Sequence, residues 1–78
     1  MPKRERFHVT HSQRGKNWQV KREGRSTAMA EADTKKEAVS LGRDMARRMQ
    51  SSQLLVHGRD GKIQTEYTYG DDPRRSPG

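Results

Sequence analysis

The chain has no cysteine, so no disulfide braces it and no thiolate is available as a nucleophile or metal ligand. Apolar residues make up only 27% of it, well below the roughly 45–50% of an average globular chain, a count that includes glycine. Aromatic side chains are also few: one Trp, one Phe and two Tyr. The longest aliphatic run is Leu54, Leu55, Val56, too short to span a bilayer or to form the apolar core of a signal peptide. These shortages exclude a disulfide scaffold and a membrane-spanning helix. At 78 residues the expectation is one domain, and a domain of this size buries only about 60% of its unfolded surface. Good local structure, self-association or a partner must supply the remaining stability. The expected location is the cytoplasm.

Positive charge, by contrast, is abundant. The formal net charge is +7 and the isoelectric point about 10.4. The excess is uneven: residues 1–25 carry eight Lys/Arg against two Glu, and residues 34–50 carry five against two acidic residues. Clustered basic residues are the electrostatic footprint of a polyanion binder.

The best-patterned stretch runs from Thr34 to Gln50. Thr34-Lys35-Lys36-Glu37 has the S/T-x-x-E form of a capping box, which marks a helix N-terminus. Ala38, Leu41, Gly42, Met45, Ala46 and Met49 follow at helical spacing as one apolar stripe. Lys36, Ser40, Arg43 and Arg47 form a second stripe, which is largely basic. Asp44 and Arg48, four residues apart, are expected to pair.

Around the helix the pattern alternates with period two, as in half-buried strands. Phe7, Val9 and His11 share one parity, and Trp18 and Val20 another inward set, with a turn at Gln13–Lys16 between them. Ser26 to Ala32 fits a short third strand, although its alanines also tolerate helix. Gln53–His57 and Lys62–Tyr69 read as a second hairpin, with Asp60-Gly61 as the expected type I′ turn. The fold expected is α+β: one antiparallel sheet of four or five short strands packed on one helix, in the order β-β-(β)-α-β-β. Residues 1–5 are expected to be a flexible basic arm, 6–69 the domain and 70–78 a disordered tail. The expected core is Phe7, Val9, Trp18, Val20, Met29, the helix stripe, Leu54 or Leu55, Val56, Ile63 and Tyr67.

No constellation for catalysis is present, so the chain is not expected to be an enzyme. There is no G-x-S-x-G elbow, and the carboxylates Asp71-Asp72 lie in the tail. Gly58-Arg59-Asp60-Gly61-Lys62 is too short for a phosphate-binding P-loop and sits between strands. His8 and His11 have opposite strand parity and cannot share an ion, while His57 is remote in sequence. Neither metal nor cofactor is expected.

Trp18-Gln19-Val20-Lys21-Arg22-Glu23-Gly24, the Thr34–Ala38 helix start and Leu55-Val56-His57-Gly58-Arg59-Asp60-Gly61-Lys62-Ile63-Gln64 together resemble a bacterial family of small proteins, domain-of-unknown-function family 2188. Tyr69-Gly70-Asp71-Asp72-Pro73 extends the resemblance over residues 7–73, and Arg74 and Arg75 depart from its apolar, proline-rich ending. The resemblance implies a compact α+β module and carries no catalytic residue.

The function expected from these features is a small non-enzymatic binding module that contacts a nucleic-acid backbone without reading bases. Arg4, Arg6, Lys21, Lys36, Arg43 and Arg47 are the candidate contacts. The sheet face opposite the helix is expected to be basic and free of aromatic side chains, which disfavours base stacking. The alternative is a homo-oligomeric interaction module without nucleic-acid activity. A homodimer is expected in either case, because a thin core and open sheet edges favour self-association; no membrane or small-molecule partner is indicated.

Overall fold

Thr34 opens the only helix among the described residues. Its extended backbone and its side-chain oxygen, which accepts from the Glu37 N–H at 3.1 Å, make it the N-cap. The Glu37 carboxylate in turn accepts from the Thr34 hydroxyl at 3.2 Å, rather than from a backbone N–H. The computed structural model describes residues 5–12, 14–15, 17–49 and 51–70. Its elements are β1 (Glu5–Ser12), β2 (Asn17–Arg22), β3 (Ala28–Ala32), α1 (Lys35–Arg48), β4 (Ser51–His57) and β5 (Ile63–Gly70). Residues 1–4 of the expected arm, 71–78 of the expected tail, Gln13, Lys16 and Gln50 lie outside the described residues. Glu5 and Gly70 are the end residues of strands.

The five strands form one sheet in the order β3-β2-β1-β4-β5. Three neighbouring pairs are antiparallel, but β1 and β4 run parallel, with Phe7 opposite Leu54 and Val9 opposite Val56. The sheet is therefore mixed, which corrects the antiparallel expectation. The crossover through α1 returns the chain beside β1, as a parallel neighbour requires. Periodicity reports which face a residue occupies and carries no information about which strand lies next to it.

α1 packs on one face of this sheet. Phe7, Val9, Trp18, Val20, Leu54 and Val56 are buried beneath Ala38 and Ala46. Gly42 lies at the closest approach: a Cβ there would stand 2.9 Å from a Leu54 methyl and 3.3 Å from Val9. After the helix, the Ser52 hydroxyl, fully buried, donates to the Ala46 carbonyl at 2.5 Å and ties the helix end to β4. The small residues Ala38, Gly42 and Ala46 thus form the contact line, while Leu41 stands exposed. Met29 and Ile63, expected in the core, are each half exposed because they lie on the opposite sheet face, on or beside outer strands. Leu55 is buried on that opposite face, between His8 on β1 and Glu66 on β5.

The β4–β5 connection also differs from the expected turn. The Gly61 N–H donates to the Gly58 carbonyl at 3.0 Å, so Arg59 and Asp60 are the central residues. Gly61 follows with φ +89°, the left-handed region that favours glycine. Asp60 Oδ1 accepts from the Lys62 N–H at 3.0 Å and closes the loop from within.

Candidate functional site

The basic stripe of α1 looks onto the inner face of β5. α1 lies mainly over β1 to β4 and covers β5 least, so a groove of about 720 Å³ remains between helix and strand. Lys36, Ser40, Arg43 and Arg47 line it from the helix, as their spacing at i, i+4, i+7 and i+11 requires. Lys35 joins them, Val39 and Val56 form the apolar base, and Thr65 and Tyr67 close the strand side. Four cations thus meet one carboxylate, Asp44.

Neutral partners position two of these cations. The Arg43 Nε donates to the Tyr69 hydroxyl at 2.8 Å, and its guanidinium lies 4.7 Å from the Tyr67 ring centre. The bond to Tyr69 also raises the Arg43 pKa above its usual value, so the group stays fully charged. Lys35 donates to the Gln64 side chain, with its ammonium 5.6 Å from the Trp18 ring centre. Asp44 pairs with Arg47 one turn on, and not with Arg48 as expected. Both members of that pair are well exposed, so it contributes little.

Of the expected contacts, the groove gathers Lys36, Arg43 and Arg47. Arg6 and Lys21 lie on the opposite sheet face, and Arg4 is outside the described residues. On that face Arg6 approaches Glu23 at 3.3 Å. Register places Lys21, Glu31 and Glu66 there as well, so two Arg/Lys meet three Glu. The open face is therefore not the basic surface expected. The Glu23 carboxyl pKa is lowered, chiefly by its hydrogen bond from His8 and then by the Arg6 charge.

The parallel pairing of β1 with β4 also brings together two histidines that are 49 positions apart. His8 Nδ1 lies 2.9 Å from His57 Nε2, a contact that their separation in sequence does not suggest. Glu23 accepts from His8 Nε2 at 3.0 Å and the Gly61 carbonyl accepts from His57 Nδ1 at 2.9 Å. Both outer partners are acceptors, so each ring uses a proton outward and the bond between the rings needs a third. The ring centres are 5.1 Å apart. That spacing puts both nitrogens nearly on the line joining the centres, the head-on geometry of an N–H···N bond. Among the described residues no group of three or more His, Asp or Glu is placed to hold a metal ion.

A family model for DUF2188, described as an uncharacterized protein conserved in bacteria, matches residues 7–69. The chain belongs to this family. DUF2188 here spans all six elements of the sheet and helix, apart from their outermost residues. No curated protein and no solved structure gives a match.

Sequence reasoning found the helix stripe but missed its partners on β5. Thr65, Tyr67 and Tyr69 share one parity and were readable as an inward set. That the helix covers this set only in part depends on where β5 sits in the sheet.

Proposed function

We propose that this protein is a non-enzymatic module that holds a nucleic-acid backbone in the groove between α1 and β5. The observation that carries the reading is the charge imbalance there: Lys35, Lys36, Arg43 and Arg47 against Asp44 alone. Lys and Arg that neutralise phosphates release counterions, which drives binding without base readout. The Tyr67 ring lies under the Arg43 guanidinium, which supports backbone contact over base stacking. Ser40 and Thr65 add hydroxyl groups that can donate to phosphate oxygens.

Fluorescence anisotropy with unrelated duplexes tests the proposal. Affinity should fall with log salt by about 0.9 per phosphate contact, similarly for every sequence. Replacing Arg43 and Arg47 together with Ala should flatten that slope by about 2. The reading fails if no duplex or single strand binds at about 50 mM salt, where electrostatic association is strong.

A further inference from the structure

The two outer strands of the sheet are unequal. β3 has five residues, and its pairing with β2 is interrupted between Val20 and Lys21. β5 has eight residues; its pairing with β4 shifts once, between Val56 and His57 at the start of the strand, and is regular from Thr65 to Gly70. Short length, bulges, proline and lysine are the usual means of keeping an edge from pairing with another chain. β3 uses the first two. β5 contains no Lys, Arg or Pro, and five of its residues (Ile63, Thr65, Tyr67, Thr68 and Tyr69) are β-branched or aromatic.

We propose that β5 pairs antiparallel with β5 of a second copy, and that the groove described above is half of a two-fold site. The pairing stands on the strand itself; only its ligand rests on the proposed nucleic-acid reading. Side-chain parity restricts the register, because directly opposite residues must share a face. A two-fold axis through Glu66 would set two carboxylates opposite each other, which is destabilising. An axis through Tyr67 sets Glu66 opposite Thr68 and Thr65 opposite Tyr69, and spans the strand from Gln64, where the pairing with β4 shifts, to Gly70. That register combines long overlap with no opposed like charges.

The geometry has a consequence for the groove. Its open side is the β5 edge, so joining two edges merges two grooves into one channel floored by Tyr67 of both copies. An α1 helix walls it on each side, and the cations double. The two Arg43 guanidiniums then face each other across the axis, and a polyanion between them favours the pair. By linkage, a ligand that binds the pair more tightly also tightens the pairing.

The test uses the full chain without nucleic acid, by sedimentation from low to high micromolar concentration. A dimer is expected, and Tyr67→Lys, which opposes two ammonium groups at the axis, should weaken association at least tenfold. Circular dichroism establishes whether that variant is folded. A nitroxide on Thr68→Cys provides a second measurement that leaves Tyr67 intact. In this register the two labelled Cα atoms lie about 8 Å apart, and strong dipolar broadening should appear. A monomer at every concentration, both alone and with a 20-bp duplex, overturns the pairing and leaves the groove reading standing. A dimer without broadening, or one that survives in folded Tyr67→Lys, also overturns it. A broadened dimer that binds no duplex supports the pairing and removes the nucleic-acid reading instead.

Discussion

The two faces of the sheet contain similar residue types and differ in how charge is matched. On the open face Arg6 and Lys21 stand among Glu23, Glu31 and Glu66, and Glu23 accepts from both Arg6 and His8. In the groove beneath α1, Lys35 and Arg43 are held by Gln64, Tyr69 and aromatic rings. Neutral partners orient a cation without cancelling its charge; carboxylates cancel it. Net charge along a chain therefore does not say which surface attracts an anion.

This contrast presupposes that the helix and sheet form a fixed frame, and the largest expected effect tests that frame. Trp18 is 6% exposed and packs in the core between α1 and β2. Trp18→Ala should cost about 3–5 kcal/mol, enough to unfold a marginal small domain. An unchanged thermal melt by circular dichroism would remove Trp18 from the core assignment.

A smaller effect is expected where α1 touches the sheet most closely. Gly42→Val adds atoms against Leu54 and Val9, both fully buried. Overpacking of this kind costs about 1–3 kcal/mol. Urea denaturation should show a lower midpoint with little change in slope; equal or higher stability would mean that the helix can lift freely from the sheet.

The two faces can then be compared directly through salt-dependent duplex binding. Lys36→Ala, in the groove, should flatten the salt slope by about 0.9. Arg6→Ala combined with Lys21→Ala, on the open face, should leave it nearly unchanged. Equal losses from both variants would erase the distinction between the faces.

The smallest effect concerns Glu23. Its pKa is lowered from the ordinary 4.5 in the folded state. The stability it contributes is therefore present above that ordinary value and is lost as pH falls through the lower folded value. Glu23→Gln should melt slightly below the parent at pH 7, with the difference closing as acid protonates the folded-state carboxylate. A gap that persists in acid would show that charge on Glu23 is not its origin.

Much of this architecture was legible in local patterns. The capping box located the helix start at Thr34, where the first turn's N–H groups need a side-chain acceptor. Alternation identified four strands and left the alanine-rich β3 open between strand and helix. Spacing alone put Lys36, Ser40, Arg43 and Arg47 on one helix face, and the same four residues line the groove. These features depend on neighbours within a turn or along one strand, so the sequence states them directly.

Strand order was decided elsewhere. The parallel placement of β4 beside β1 brought His57 to His8 and put β5 at the edge. It also left Ile63 exposed and buried Leu55 on the face away from the helix. The i,i+3 choice of Arg47 over Arg48 by Asp44 turns on side-chain reach at the surface, which spacing rules leave open. By itself the sequence determined the elements and the alternation along them, because backbone periodicity encodes both, but it assigned Met29 and Ile63 to the wrong face. Only the tertiary structure decided which cations keep an unmatched charge, because compensation depends on carboxylates brought close by chain crossings that no local pattern records.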